Sequence, residues 1–371
     1  MTTTQIYALV NSVNSQAFGS SALAVADTSG LIALGNTVLS SSTNTEAFLN
    51  TLAQRIGRTI LRYRDYRNKL GDMVLNDFEY GAILQKIKVT MPAAESDEMY
   101  GLTDGQSVDH YKVAKPQAVQ KLFVTRTPYQ YHITIQRETL KEAFLTESAM
   151  GAFISTVFGE VRNAIEVGLE NLARVTLATA IAEVSGTAGR VVNLVTDYNT
   201  ETGSSLTAAT ALHSPAFMAY AIARMNSIRD GMTDMSTVYN DGSVETFTPA
   251  EDLRVRVISA FHRRLETVVQ YAAFHDQLVE YDGIYTVLNF WQSEKTPYGV
   301  NIKKPSNATA TTVSNVVAMI ADRDAMGIYK IDEDILTTPV NAAGAYYNTY
   351  WHEKQLRFID LSENIVIFTL N

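Results

Sequence analysis

The chain has 371 residues, 46% of them apolar, with a formal charge of -9 at pH 7 and no cysteine. This length can bury a large core and predicts two or more subdomains, while the lack of cysteine excludes disulfides, zinc–thiolate centres and thiol nucleophiles. The acidic balance excludes general nucleic-acid affinity, which needs many exposed cations to displace counterions, but not a protein that encloses nucleic acid without gripping it.

Residues 1–44 are rich in Ser, Thr, Ala and Asn and carry one charged residue, Asp27. No basic, apolar-cored leader is present and no run of 18 apolar residues occurs, so a soluble, intracellular product without a membrane span is expected. Sustained periodicity is lacking, and the segment reads as an extended arm. Its apolar residues (Ile6, Leu9, Val10, Val13, Phe18, Leu31, Ile32, Leu34) are too many for a solvated linker, so the arm should lie along another surface.

Residues 45–69 read as a helix capped by Thr45 or Asn44 and stopped by Gly71, with Phe48, Leu52, Ile56 and Ile60 as its stripe. Its second half is basic: Arg55, Arg58, Arg62, Arg64, Arg67 and Lys69. Residues 81–136 read as a long hairpin. Ile83, Gln85, Ile87 and Val89 alternate with Leu84, Lys86, Lys88 and Thr90, and Tyr129, Tyr131, Ile133 and Ile135 alternate with Gln130, His132, Thr134 and Gln136. Between them lies a polar tip, 92–115, with Glu95, Asp97, Glu98, Asp104 and Asp109. A polar insertion of this length is characteristically functional or disordered.

From Ser148 to Glu183 the pattern predicts one long helix of roughly 50 Å, with Phe153, Val157, Val161, Ile165, Leu169 and Val175 inward and Glu170 and Arg174 on the polar face. A loop with strand-like 190–195 follows, then a helix at 215–228 with Phe217, Ala221, Met225 and Ile228 inward. Asn240-Asp241-Gly242 predicts a hairpin turn within 238–248. A strand at 253–258, a helix at 265–279, a strand at 284–291 and a turn-rich loop at 295–307 are expected next. Strands dominate from 313 to the end and fill one sheet layer.

Searches for chemistry return little. There is no GxGxxG after a strand, no GxxxxGK[ST] and no GxSxG, and His352-Glu353 lacks the second histidine of a zincin. His262 and His275 read as packed or surface side chains. Asp322, Asp324, Asp332, Glu333 and Asp334 lack the spacing and glycine of a calcium loop and read as solvated turns. No catalytic, cofactor or metal residues are assigned. The basic run and the acidic tip are complementary, so Arg55, Arg58, Arg62, Arg64 and Arg67 and Glu95, Asp97, Glu98, Asp104 and Asp109 are candidate inter-subunit contacts that would set register more than stability.

The order of arm, basic helix, hairpin loop, spine-length helix, mixed body and aromatic-rich terminal strands, with the stretch from Val316 to Tyr329 as its most suggestive part, resembles the major capsid proteins of tailed bacteriophages. The resemblance implies an α+β, Hong Kong 97-like capsid fold. It implies an arm and basic helix at 1–70, an extended loop at 81–136, a peripheral domain from 137–210 and 292–371 with its spine at 148–183, and an axial domain at 211–291. It further implies pentamers and hexamers closing into an icosahedral shell around double-stranded DNA, with a separate scaffolding protein and a portal as partners, assembled in the host cytoplasm and ending in the virion. No cofactor is implied. A bacterial nanocompartment shell of the same fold, or an α/β enzyme with a lid, are the alternatives.

Overall fold

The computed structural model describes residues 3–19, 24–56, 66–75, 84–92, 94, 95, 97–109, 111, 113, 115–124, 126–272, 284–305 and 307–371. Three helices open it: α1 (Thr3–Phe18), α2 (Thr28–Leu39) and α3 (Ser42–Ile56). The expected extended arm is therefore helical. Ile6, Leu9, Val10 and Val13 recur at three- and four-residue spacing and are buried, as are Leu31, Leu34 and Val38. The polar residues that masked this period serve as caps. Asp27 accepts from the Gly30 N–H at 2.7 Å to start α2. Ser41 accepts from the Asn44 N–H at 3.1 Å to start α3, in place of the expected Thr45 or Asn44. Nor does a helix reach Lys69: residues 66–68 have no regular structure, and Gly71 begins a 3-10 turn (Gly71–Met73).

Four strands follow: β1 (Val74–Leu75), β2 (Leu84–Val89), β3 (Ala118–Phe123) and β4 (Arg126–Gln136). Both alternating patterns are strands, yet they do not pair. β2 pairs with β3, from Leu84 opposite Phe123 to Val89 opposite Ala118, whereas β4 lies beside the late strand β12 (Tyr346–Ile359). The hairpin thus spans 84–123, shorter than the expected 81–136. β3 went unnoticed because Gln120 and Lys121 break up its apolar residues.

After α4 (Arg137–Ala143), Thr146 caps α5 (Glu147–Phe153) by accepting from the Ala149 N–H at 3.1 Å, where Ser148 was expected to do so. A π-helical turn (Ile154–Phe158) then leads into α6 (Gly159–Val184). The wider turn moves the inward position from Val157 to Phe158, which meets Trp351 edge-on at 6.0 Å. Glu170 and Arg174, expected on a polar face, are buried; the Tyr66 hydroxyl donates to Glu170 at 2.5 Å, and Arg174 donates to the Phe290 carbonyl at 2.6 Å.

Beyond lie β5 (Val191–Asn193), α7 (Leu194–Thr202), α8 (Ala208–Ala211), α9 (Pro215–Gly231), β6 (Leu253–Ile258), α10 (Ser259–Ala272) and β7 (Ile284–Leu288). α7 falls where a loop was expected. α9 buries Phe217, Ala221, Met225 and Ile228 as its spacing requires. No hairpin forms at 238–248, where only the bridge between Ser236 and Thr246 occurs; buried Asn240 donates to both Ser236 and Val244 carbonyls and organises the turn itself. The turn-rich loop is in fact a second hairpin, β8 (Val300–Lys304) with β9 (Asn307–Val313). β10 (Val316–Asp322), β11 (Met326–Thr337), β12 and β13 (Ile365–Thr369) end the chain.

These late strands divide between two sheets and do not form one layer. One sheet has the order β1-β11-β12-β4, the other β5-β13-β10-β6-β7. The chain correspondingly forms two compact units: 1–81 with 125–173 and 328–356, and 82–124 with 174–327 and 357–371. Residues 292–371, expected in one domain, are shared between them. In the second unit, α7, α9 and α10 pack on the five-stranded sheet, whose strands β6 and β10 are apolar throughout their inner positions. No helix among the described residues is long and apolar enough to cross a membrane.

Candidate functional site

The hairpin of β2 and β3 belongs to the second unit and has two unlike faces. Leu84, Lys86, Lys88, Val119, Lys121 and Phe123 point toward the body, while Gln85, Ile87, Val89, Gln120 and Leu122 point out. The usual polarity is reversed: Ile87, Val89 and Leu122 are 59%, 55% and 54% exposed. Lys86 stands directly opposite Lys121 across the ladder, an unfavourable pair unless anions lie beneath it.

Anions do lie beneath it. Lys88 Nζ donates to Glu363 Oε2 (2.8 Å), the Ser362 carbonyl (2.9 Å) and Thr246 Oγ1 (3.1 Å), using all three of its protons. Lys121 Nζ bridges Asp241 Oδ2 (2.9 Å) and Asp360 Oδ1 (3.1 Å). Lys86 Nζ lies 3.6 Å from Asp360 and 3.5 Å from Glu363, donates to the Asp324 carbonyl, and sits over the Phe358 ring. Phe123 packs on the same ring at 5.6 Å. Asp360 is 1% exposed and is oriented by the Ser362 N–H (3.0 Å) and hydroxyl (2.7 Å).

Burial alone would push the Asp360 and Asp241 carboxyls up, but hydrogen bonds from Ser362 and Ser243 together with the lysines outweigh it and hold both below the usual aspartate value. Burial would likewise lower the Lys121 ammonium, and Asp241 and Asp360 raise it instead. A depressed carboxyl contributes stability above its unfolded value that is lost as pH falls through the folded one; a raised ammonium contributes below its unfolded value and is lost as pH rises through the folded one. With ordinary values of about 3.9 and 10.4, cleavage of 84–123 by limited proteolysis is expected to stay constant from about pH 5 to 9 and to rise below about pH 4. A steady rise from pH 7 to 5 would contradict this.

The sequence-predicted residues fall elsewhere. Arg55 is used within the N-terminal helices, donating to Gln16 Oε1 at 2.6 Å and to the Ser12 hydroxyl. Arg67 is exposed, and Arg58, Arg62 and Arg64 lie outside the described residues. Glu95, Asp97, Asp104 and Asp109 are exposed on the tip, and Glu98 lies in its 3-10 turn (Glu98–Tyr100). Asp97 and Asp109 accept from the Met99 and Tyr111 N–H groups, each at 2.9 Å, and so shape their own turns. Beside them Tyr100 and Tyr111 are 85% and 89% exposed. Lys86, Lys88 and Lys121 were missed, although the Lys86/Lys88 alternation was visible; their partners lie up to 275 residues away. Asp322 locks a turn by accepting from Thr248 Oγ1 and the Asp324 N–H, both at 2.7 Å. His262 is buried beside Glu266, 3.1 Å away, and His275 lies outside the described residues.

Comparison with known proteins fits a scaffold with this geometry. The major capsid protein of Bacillus phage PZA is 22% identical over 369 residues, 98% of this chain and 73% of that protein, and that of Bacillus phage B103 matches to the same extent. Among solved structures, the capsid of Staphylococcus phage Andhra aligns with a TM-score of 0.51 and 12% identity over 84% of this chain and 87% of that one. The capsid of cyanophage P-SCSP1u aligns at 0.50 and 10% over 84% and 90%. These likenesses identify the Hong Kong 97-like capsid fold, in its α+β form. The model of the Phi29-like phage major capsid protein family matches residues 8–369, and the chain belongs to that family.

Proposed function

We propose that copies of this major capsid protein form pentamers and hexamers that close into an icosahedral shell around double-stranded DNA, with a separate scaffolding protein and a portal as partners during assembly in the host cytoplasm. The five-stranded unit would supply the axial contacts and the four-stranded unit the periphery. The tip carboxylates and the basic run at 55–69 would meet between neighbouring copies. The observation that carries this reading is the outward apolar face of the hairpin, since Ile87, Val89 and Leu122 are held away from their own subunit by an anchored opposite face. A monomer gains nothing from such a face; a neighbouring copy can cover it.

Ile87→Asp combined with Leu122→Asp tests the reading. Burying two side chains of this size contributes about 3–6 kcal/mol per contact, so the contact should weaken by roughly two to four powers of ten. Electron microscopy and light scattering, with and without the scaffolding protein, should show shells for the parent and none for the variant, with the circular dichroism of both unchanged. Closed shells from a folded variant, or no shells from the parent under either condition, would overturn it.

A further inference from the structure

We infer that the hairpin is latched onto its own subunit before any neighbour arrives, and that Lys86, Lys88 and Lys121 are the positioning residues that turn its apolar face outward. A two-stranded ribbon alone is marginal in water, so its order needs an external anchor. That anchor lies within the same compact unit. Its parts are the carboxylates of Asp241, Asp360 and Glu363, the Ser362 and Asp324 carbonyls and the Phe358 ring, all reached by side chains from one face of β2 and β3.

The alternative docking, with apolar residues inward, is blocked by the same chemistry. It would lay Ile87, Val89 and Leu122 over three carboxylates and leave Asp360, already out of water, without a cation. Register enforces the choice, because a one-residue slip in either strand sends its lysines to the opposite face. An isolated exposed ion pair would hold little. Here three cations interlock with three anions, and Lys86 and Lys121 share Asp360, so the latch should release as a unit. The inference concerns the single subunit and does not depend on what the assembled copies enclose.

Hydrogen exchange on the full-length chain, kept unassembled by dilution, tests it. Amides of 84–89 and 118–123 should be protected in the parent at low salt. They should lose protection by about tenfold to a hundredfold in the triple variant Lys86→Met, Lys88→Met, Lys121→Met, while β6 and β10 amides keep theirs. Raising NaCl from about 0.05 M to about 1 M should lower hairpin protection in the parent and leave the methionine variant unchanged. If the triple variant loses its core amides as well, the pair Lys121→Met and Lys121→Arg decides the matter: Lys121→Met alone should free the hairpin, and Lys121→Arg, which keeps a cation between Asp241 and Asp360, should retain most of its protection. A hairpin that exchanges freely in the unassembled parent, a folded methionine variant with parental protection, or an arginine variant as unprotected as the methionine one would each overturn the inference.

Discussion

Gly35→Val is expected to unfold the N-terminal part of the first unit, lowering its stability by about 3 kcal/mol or more, and Gly35→Ala by about 1–3 kcal/mol. In an open helix the alanine change would be favourable by about 1 kcal/mol. The sign reverses here because a Cβ at this position would lie 2.6 Å from Phe144 Cβ and 2.7 Å from its Cγ. Those atoms sit next to the backbone and cannot swing away as the end of a long side chain could. Phe144 is itself fixed, being buried and in tilted contact with buried Phe48 at 5.3 Å. The two phenylalanines thus join α3 to the end of α4, with α2 pressed on top at the only kind of residue that lets it approach. Urea titration followed by circular dichroism checks this. An alanine variant as stable as the parent would show that the helices can part at no cost.

Trp291→Ala should cost the second unit about 3–5 kcal/mol. Trp291 is among the largest fully buried side chains, and its indole Nε1–H donates to the Val316 carbonyl at 2.8 Å. Val316 opens β10, the central strand that pairs with both β13 and β6. Two losses therefore fall at one place: the volume of the ring and the partner of a buried carbonyl. Trp291→Phe separates them. It keeps most of the volume and leaves the carbonyl unsatisfied, so about 1–3 kcal/mol of destabilisation should remain. A phenylalanine variant equal to the parent would mean that the hydrogen bond contributes nothing net.

The sequence was most legible where one face of an element meets one core. α9 shows its inward stripe at 217, 221, 225 and 228, and β6 alternates Leu253, Val255 and Val257 with Arg254 and Arg256 within the expected bounds. Legibility failed where a pattern is shared or inverted. Pairing is not a local property, so two alternating strands, β2 and β4, looked like partners although each finds another strand. β9, with its run of Ala and Thr, has too little apolar contrast to announce a strand. The opening helices were hidden because Asp27 and Ser41 look like linker residues until their capping bonds are seen. The latch was hidden for a stronger reason. Apolar-inward is the rule by which faces are assigned, and the hairpin obeys the opposite rule because its anchor is a set of carboxylates contributed from positions 241, 360 and 363.

The strand order of the larger sheet also sets a timetable. β13 lies between β5 and β10, and Thr369 bonds Asn193 from 176 residues further along the chain. A ribosome adding about 5–20 residues per second leaves roughly 10–35 s during which β5 is made and its neighbour is not. The sheet cannot close from its amino-terminal side, and the edges of β5 and β10 that will receive β13 stay open to other chains until that strand has been made.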